Sequence, residues 1–126
     1  MSLVLDSGAL IAFDRGDRGV AALVETTRRK RERIVTSSGC VAQAWREGGP
    51  RQALLARLLG GVRECAIDAL VSRSVGRLCS VAQSSDVVNA HVVLLARDGD
   101  VILTSDPDDL RRLMSSAETR ADINLC

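Results

Sequence analysis

Short apolar runs alternate with longer amphipathic stretches along this chain, and that alternation predicts strands joined by helices. The runs SLVL (2–5), RIVT (33–36), VRECAI (62–67), VILT (101–104) and DINLC (122–126) read as strands. Between them, GVAALVETTRRKRE (19–32), CVAQAWREG (40–48), PRQALLARLLG (50–60), DALVSRSVGRLCSV (68–81), SDVVNAHVVLLARDG (85–99) and PDDLRRLMSS (107–116) read as helices by period and by flanking Gly or Pro. Strands that take turns with helices imply crossover connections, and crossovers make neighbouring strands parallel. The expected fold class is α/β, a three-layer α/β/α sandwich with a central parallel sheet. No repeat, linker or boundary interrupts residues 1–126, so a single domain is expected.

Composition narrows the partners. A chain of 126 residues, 46% hydrophobic, is long enough to bury a proper core. Lys and Arg number 17 against 16 for Asp and Glu, so net charge near +1 gives no global attraction to a polyanion. Any steering is local, and the basic run RRKRER (28–33) reads either as the solvated end of a helix or as a phosphate-contacting patch. Phe13 and Trp45 are the only aromatic residues, too few for a base-stacking platform. Cys40, Cys65, Cys79 and Cys126 show no zinc-like spacing and read as reduced thiols. No apolar run approaches the ~20 residues of a membrane span, and the N-terminus lacks a secretory pattern. A cytoplasmic protein with no membrane partner is the expectation.

The acids carry the chemistry. In open parallel sheets, functional groups collect at the carboxyl ends of strands. Asp6 follows SLVL, and Asp106 follows VILTS in the same way. Asp86 and Asn89 stand one turn apart at the start of the 85–99 helix, and Asp109 lies one turn beyond Asp106. Thr36, Ser37 and Ser38 close the second strand, and Gln43 and Glu47 lie on the next helix. Each acid also has a local explanation. Asp6, Asp86 and Asp106 can cap helices, Pro107 suits a first helical position, and Asp108 and Asp109 suit a first turn. His91, alone in an apolar helix, reads as a packing residue. Carboxylates gathered at one sheet edge repel unless a cation or proton compensates, and hard oxygen ligands select Mg²⁺ or Mn²⁺. Such a centre activates water and neutralises phosphate, which fits phosphodiester hydrolysis.

Other α/β chemistries lack their motifs. There is no G-x-G-x-x-G after the first strand and no G-x-x-x-x-G-K-[ST]. A dehalogenase-like phosphotransferase needs an aspartate where Gly8 stands. A receiver domain needs a late lysine, and Lys30 is the only lysine.

LVLDSGALIA, VAQAWREGGPRQALLARLL and SSDVVNAHVVLLARDGDVILTSDPDDL, in that order, resemble the PIN-domain family, and in particular the VapC-like toxins of bacterial toxin–antitoxin pairs. The likeness runs from residue 3 to about 113. It implies a PIN-like fold, a Mg²⁺- or Mn²⁺-dependent ribonuclease acting on RNA, a homodimer and a cognate antitoxin. Asp6 then matches the first family acid, Asp106 the last strand-end acid, and Asp109 its companion. Gln43 and Asn89 stand where the family usually has acids, with Glu47 and Asp86 each one turn away. On this reading Asp6 and Asp106 hold the metal, and Asp86 and Asp109 act as ligands or water-orienting acids. Ser7 and Ser37 line the crevice, while Arg46, Arg51 and the 28–33 run meet phosphates. Asn and Gln offer a carbonyl oxygen without the charge that suits a hard cation. The alternative is a catalytically weakened PIN domain that serves as an RNA- or protein-binding module.

Overall fold

All five expected strands form, and they pair into one parallel sheet. The computed structural model describes residues 1–47 and 49–126. β1 (Leu3–Leu5), β2 (Ile34–Ser37), β3 (Arg63–Cys65), β4 (Val101–Thr104) and β5 (Asp122–Leu125) are arranged in the order β3-β2-β1-β4-β5. Every adjacent pair is parallel, with Leu3 opposite both Ile34 and Val101, and Leu5 opposite Thr36 and Leu103. Leu3, Val4 and Leu5 are completely buried, as befits a central strand covered on both faces.

Seven α-helices cover the sheet among the described residues: α1 (Ser7–Asp14), α2 (Arg18–Arg29), α3 (Ser38–Ala44), α4 (Ala53–Leu59), α5 (Ala69–Ala82), α6 (Val87–Leu95) and α7 (Pro107–Ala117). α1 packs on α2, α3 and α4, while α5, α6 and α7 pack on one another, and both groups rest on the sheet. The result is the expected three-layer sandwich. Its core joins the three central strands to Leu10, Val24, Leu55, Leu58, Val92 and Leu113 from the two helical layers.

Three differences from the expected elements have a visible reason. The expected 50–60 helix begins as a 3₁₀ turn at Pro50–Gln52, and only then becomes α4. The expected 85–99 helix stops at Leu95, because Ala96 is extended and the next four residues form a turn. In that turn the buried Asp100 accepts from the Arg97 N–H (2.9 Å) and the Ser2 N–H (2.7 Å), while Gly99 takes φ +86°. α1, not among the expected helices, starts at once after β1. No single described helix is long and apolar enough to cross a membrane.

Candidate functional site

The sheet grows from β1 toward β2 and β3 on one side and toward β4 and β5 on the other. That switch in direction opens a crevice beyond the carboxyl ends of β1 and β4. Asp6 directly follows β1, and Asp106 stands two residues after β4. The strand-end rule thus brings these two candidate ligands to one place.

Asp6 is buried, and both of its oxygens are engaged. Oδ1 accepts from the Ala9 N–H (2.9 Å), which caps α1, and Oδ2 accepts from the Thr104 hydroxyl (2.5 Å). The same Thr104 oxygen accepts from the Asp106 N–H (2.8 Å). One buried hydroxyl therefore joins the two strand ends. Gly8 explains how they come so close. A Cβ there would lie 1.9 Å from the Ser105 Oγ and 2.7 Å from its Cβ. Only glycine lets the first turn of α1 meet the β4–α7 connection.

Aspartate caps most helices in this chain. Asp6, Asp17, Asp68 and Asp86 stand before α1, α2, α5 and α6, and each accepts from the N–H three residues on. Asp106 occupies the same position before α7 but makes no close capping bond of the kind the other four make, although the Asp109 N–H still favours its charged form. Its carboxylate is exposed beside Asp109, and the sequence expectation of a capping Asp106 is corrected accordingly. Asp109 and Asp108 lie 3.8 Å and 3.4 Å from Arg112 and Arg111.

Repulsion marks the crevice. Burial raises the Asp6 pKa, opposed by the bonds from Thr104 and the α1 backbone, and the Asp106 charge raises it further. The Asp106 pKa is raised by lost hydration, then by the charge and the side-chain hydrogen bond of Asp109 and by the charge of Asp108, against the Asp109 backbone N–H. Burial, with the Asp6 charge behind it, pushes the Cys40 thiol up to about 12, so that sulfur stays protonated and inert. All four cysteines are free.

The second half of the expected site is arranged differently. Asp86 is a cap: Oδ1 accepts from the Asn89 N–H and Oδ2 from the Asn89 side-chain amide, both at 2.9 Å. The charges acting on Asp6 include Asp106 but not Asp86, whose charge acts on Cys79 instead. Gln43 and Glu47 are exposed, on and just beyond α3. Among the described residues, no three His, Cys, Asp or Glu side chains gather closely enough to hold an ion. The expected four-acid cluster is not assembled; two aspartates with Asp109 beside them remain.

The expected substrate-binding residues also separate. Ser7 is half-buried at the start of α1, next to Asp6. Ser37 does not line the crevice surface. It is fully buried, its Oγ accepts from the Gly39 N–H (3.0 Å), and it lies 2.6 Å from the His91 Nδ1. Burial lowers the His91 pKa, partly countered by Asp68, so a neutral ring accepting from Ser37 fits. Arg46 folds its guanidinium onto the last carbonyls of α3, donating to Ala42 and Trp45, and the Arg51 side chain lies outside the described residues. The 28–33 run sits at the opposite, amino-terminal edge of the sheet, where α2 leads into β2.

Thr104 is the residue that sequence reasoning missed. It reads as the last residue of an apolar strand, and its one signal is a hydroxyl two positions before a strand-end aspartate.

No family model matches the sequence, and no curated protein is similar to it in sequence. In structure, the chain is similar to one in the crystal structure of VapBC2 from Rickettsia felis bound to a DNA fragment from their promoter. The TM-score is 0.72 over 98% of this chain and 99% of that one, at 13% identity. The fold is α/β and PIN-like.

Proposed function

We propose that this chain is a metal-dependent ribonuclease of the toxin–antitoxin type, hydrolysing RNA phosphodiester bonds at the crevice between β1 and β4. One observation carries the proposal: Asp106 stands at a helix start without the close capping bond of the other four aspartates, and its charge acts on the buried Asp6 across the switch point. Two mutually repelling carboxylates fit an open Mg²⁺ or Mn²⁺ site, because such ions keep several waters and take one or two carboxylates together with substrate phosphate. They do not form a closed cage, so weak binding is expected. A bound divalent ion would supply an activated water and neutralise the scissile phosphate. The chain's own part is positional. Ala9 and Thr104 fix both oxygens of Asp6, and Thr104 also holds the backbone of Asp106. Gly8 keeps the two strand ends together. A cognate antitoxin belongs to the same proposal, supported by the likeness to a VapBC2 complex, and a homodimer is proposed with it.

A second reading has its own observation. Asn89 and Asp86 bind each other, which leaves that side of the crevice without an uncommitted acid and favours a weakened domain that binds RNA or a protein partner. RNA cleavage in millimolar Mn²⁺ by wild type and Asp6→Asn separates the two. Cleavage abolished by the substitution supports the nuclease. RNA binding without cleavage in wild type supports the binding module. Cleavage by Asp6→Asn at the wild-type rate overturns the assignment of Asp6.

A further inference from the structure

The acid crevice repels phosphate unless a cation is bound, and net charge near +1 supplies no general attraction. Affinity for a polyanion must therefore come from a local group of cations. The structure gathers one. α2 and α4 run into the adjacent parallel strands β2 and β3, so both helix C-termini stand at the amino-terminal edge of that half of the sheet. Arg28 is in the last turn of the first of these helices, and its guanidinium lies over Gly61 in the turn after the second: a Cβ there would meet Nη2 at 2.9 Å. Arg57 is in the last turn of α4, Arg63 opens β3, and Lys30 and Arg31 follow Arg28 in the α2–β2 turn.

All of these cations are exposed. Their neighbours are already paired: Arg29 with Glu25 (3.2 Å), Glu32 with the Met1 amine (3.1 Å), and Arg33 with Ser2 and Asp100. The side chains of Arg28, Lys30, Arg31, Arg57 and Arg63 have no ion-pair or hydrogen-bond partner among the described residues.

Helix dipoles account for only part of this charge. Two C-termini present about −0.5 each, roughly −1 together, against five uncompensated cations. Arg31 adds a second sign. Its backbone is left-handed (φ 55°), a conformation that Gly or Asn adopts with less strain, so turn geometry does not explain the cation there.

We propose that this edge is a docking surface for the phosphate backbone of RNA, separate from the acid crevice and independent of any bound metal. It rests on the reading that RNA is the substrate. It deepens that reading by naming the substrate class: a chain long enough to reach from the crevice to the far edge. β2 rises about 13 Å at ~3.3 Å per residue, a span of only a few nucleotides. With Phe13 and Trp45 as the only aromatic residues, and neither in this group, the surface contacts phosphates without stacking bases. Recognition there is independent of sequence.

The test measures binding of a 30-nucleotide RNA in EDTA by fluorescence anisotropy across a salt series. Five phosphate contacts at ~0.7–0.9 each give a log–log salt slope of about −4, which is a loss of about 200-fold between 50 and 200 mM. Arg28→Gln/Arg57→Gln/Arg63→Gln is expected to flatten that slope by about 2 and weaken the RNA at least 10-fold. Arg18→Gln/Arg73→Gln/Arg77→Gln, matched in charge but away from this edge, is expected to change neither. Circular dichroism melts confirm that both variants fold. Equal losses from the two triple variants, unchanged binding by the first, or tighter binding to anionic lipid vesicles than to RNA overturns the proposal. Equal affinity for a DNA duplex narrows it to nucleic-acid phosphate in general and overturns the RNA assignment. Because the binding is read without metal, RNA that is held in EDTA but never cut when millimolar Mn²⁺ is added defeats the nuclease reading and leaves the docking surface standing.

Discussion

Asn89→Asp tests the second half of the crevice most directly. In the wild type the Asn89 amide donates to Asp86 Oδ2 at 2.9 Å, while the Asn89 N–H donates to Oδ1. The substitution replaces that amide donor with a carboxylate oxygen. Two unit charges about 4 Å apart repel by about 1 kcal/mol in water and about 4 kcal/mol at an effective dielectric near 20. Both side chains are half-buried, so the cost lies between these limits, and the lost charge-assisted hydrogen bond adds about 1–2 kcal/mol. Protonation sets a ceiling: holding one Asp neutral at pH 7 costs about 4 kcal/mol, and the pair escapes by that route if repulsion exceeds it. A destabilisation of about 3–4 kcal/mol follows, or about 10–15 °C in Tm for a domain of this size. The assay is thermal unfolding in EDTA and again in millimolar Mn²⁺, where a cation between the carboxylates restores most of the loss. Asp86→Asn/Asn89→Asp keeps one amide and one carboxylate, and should return stability to within about 1 kcal/mol of wild type. If Asn89→Asp melts with wild type in EDTA, the amide–carboxylate bond does not hold the start of α6, and the account of Asp86 as a cap is wrong. Under the nuclease proposal the same variant also cleaves RNA faster than wild type in Mn²⁺.

Three further outcomes follow from groups already described. Gly8→Ala drives a methyl into Ser105, whose Cβ and backbone N would lie 2.7 and 3.2 Å away, and is expected to cost about 1–3 kcal/mol in urea unfolding. Ser105→Gly in the same chain should recover most of that, and no recovery would place the damage elsewhere. The raised Asp6 pKa makes its stability contribution complete below the ordinary value near 3.8 and lost as pH rises through the folded value. Asp6→Asn should therefore melt above wild type at pH 7 in EDTA, and the gap should close toward pH 4; a less stable variant at pH 7 refutes the burial argument. His91 has the opposite sign. Its lowered pKa gives stability present above 6.5 and lost as pH falls through the folded value, so His91→Gln should reduce the drop in urea midpoint between pH 7.5 and pH 5. Parallel pH profiles would mean that the ring stays uncharged in both states or charges in both.

The strands were legible because burial on both faces leaves runs with almost no polar interruption, as in β1. α1 was not, for a related reason. Ala9 and Leu10 are fully buried and the rest of LIAFD is half-buried, so no exposed stripe marks a helical period. The site divides along the same line between local and long-range information. Asp6 and Asp106 could be placed from position alone, because a strand end fixes which edge of the sheet a residue reaches. Thr104 could not, because its partner on Asp6 lies 98 residues away in sequence and its side chain reads as one more strand residue. Asp86 shows the limit most clearly. An aspartate at a helix start looks the same in sequence whether its carboxylate caps the helix or is left for a ligand, and five such residues occur here. Asn89 decides the case for Asp86 by supplying two donors at i+3, so both oxygens are taken. At Asp106 the competition goes the other way. The Thr104 hydroxyl already takes the backbone donor of Asp106, and the acids at 108 and 109 repel the carboxylate. The carboxylate left out of its own helix is therefore the one that stands at the switch point, and the residues that free it are neighbours whose roles appear only once β1 and β4 lie side by side.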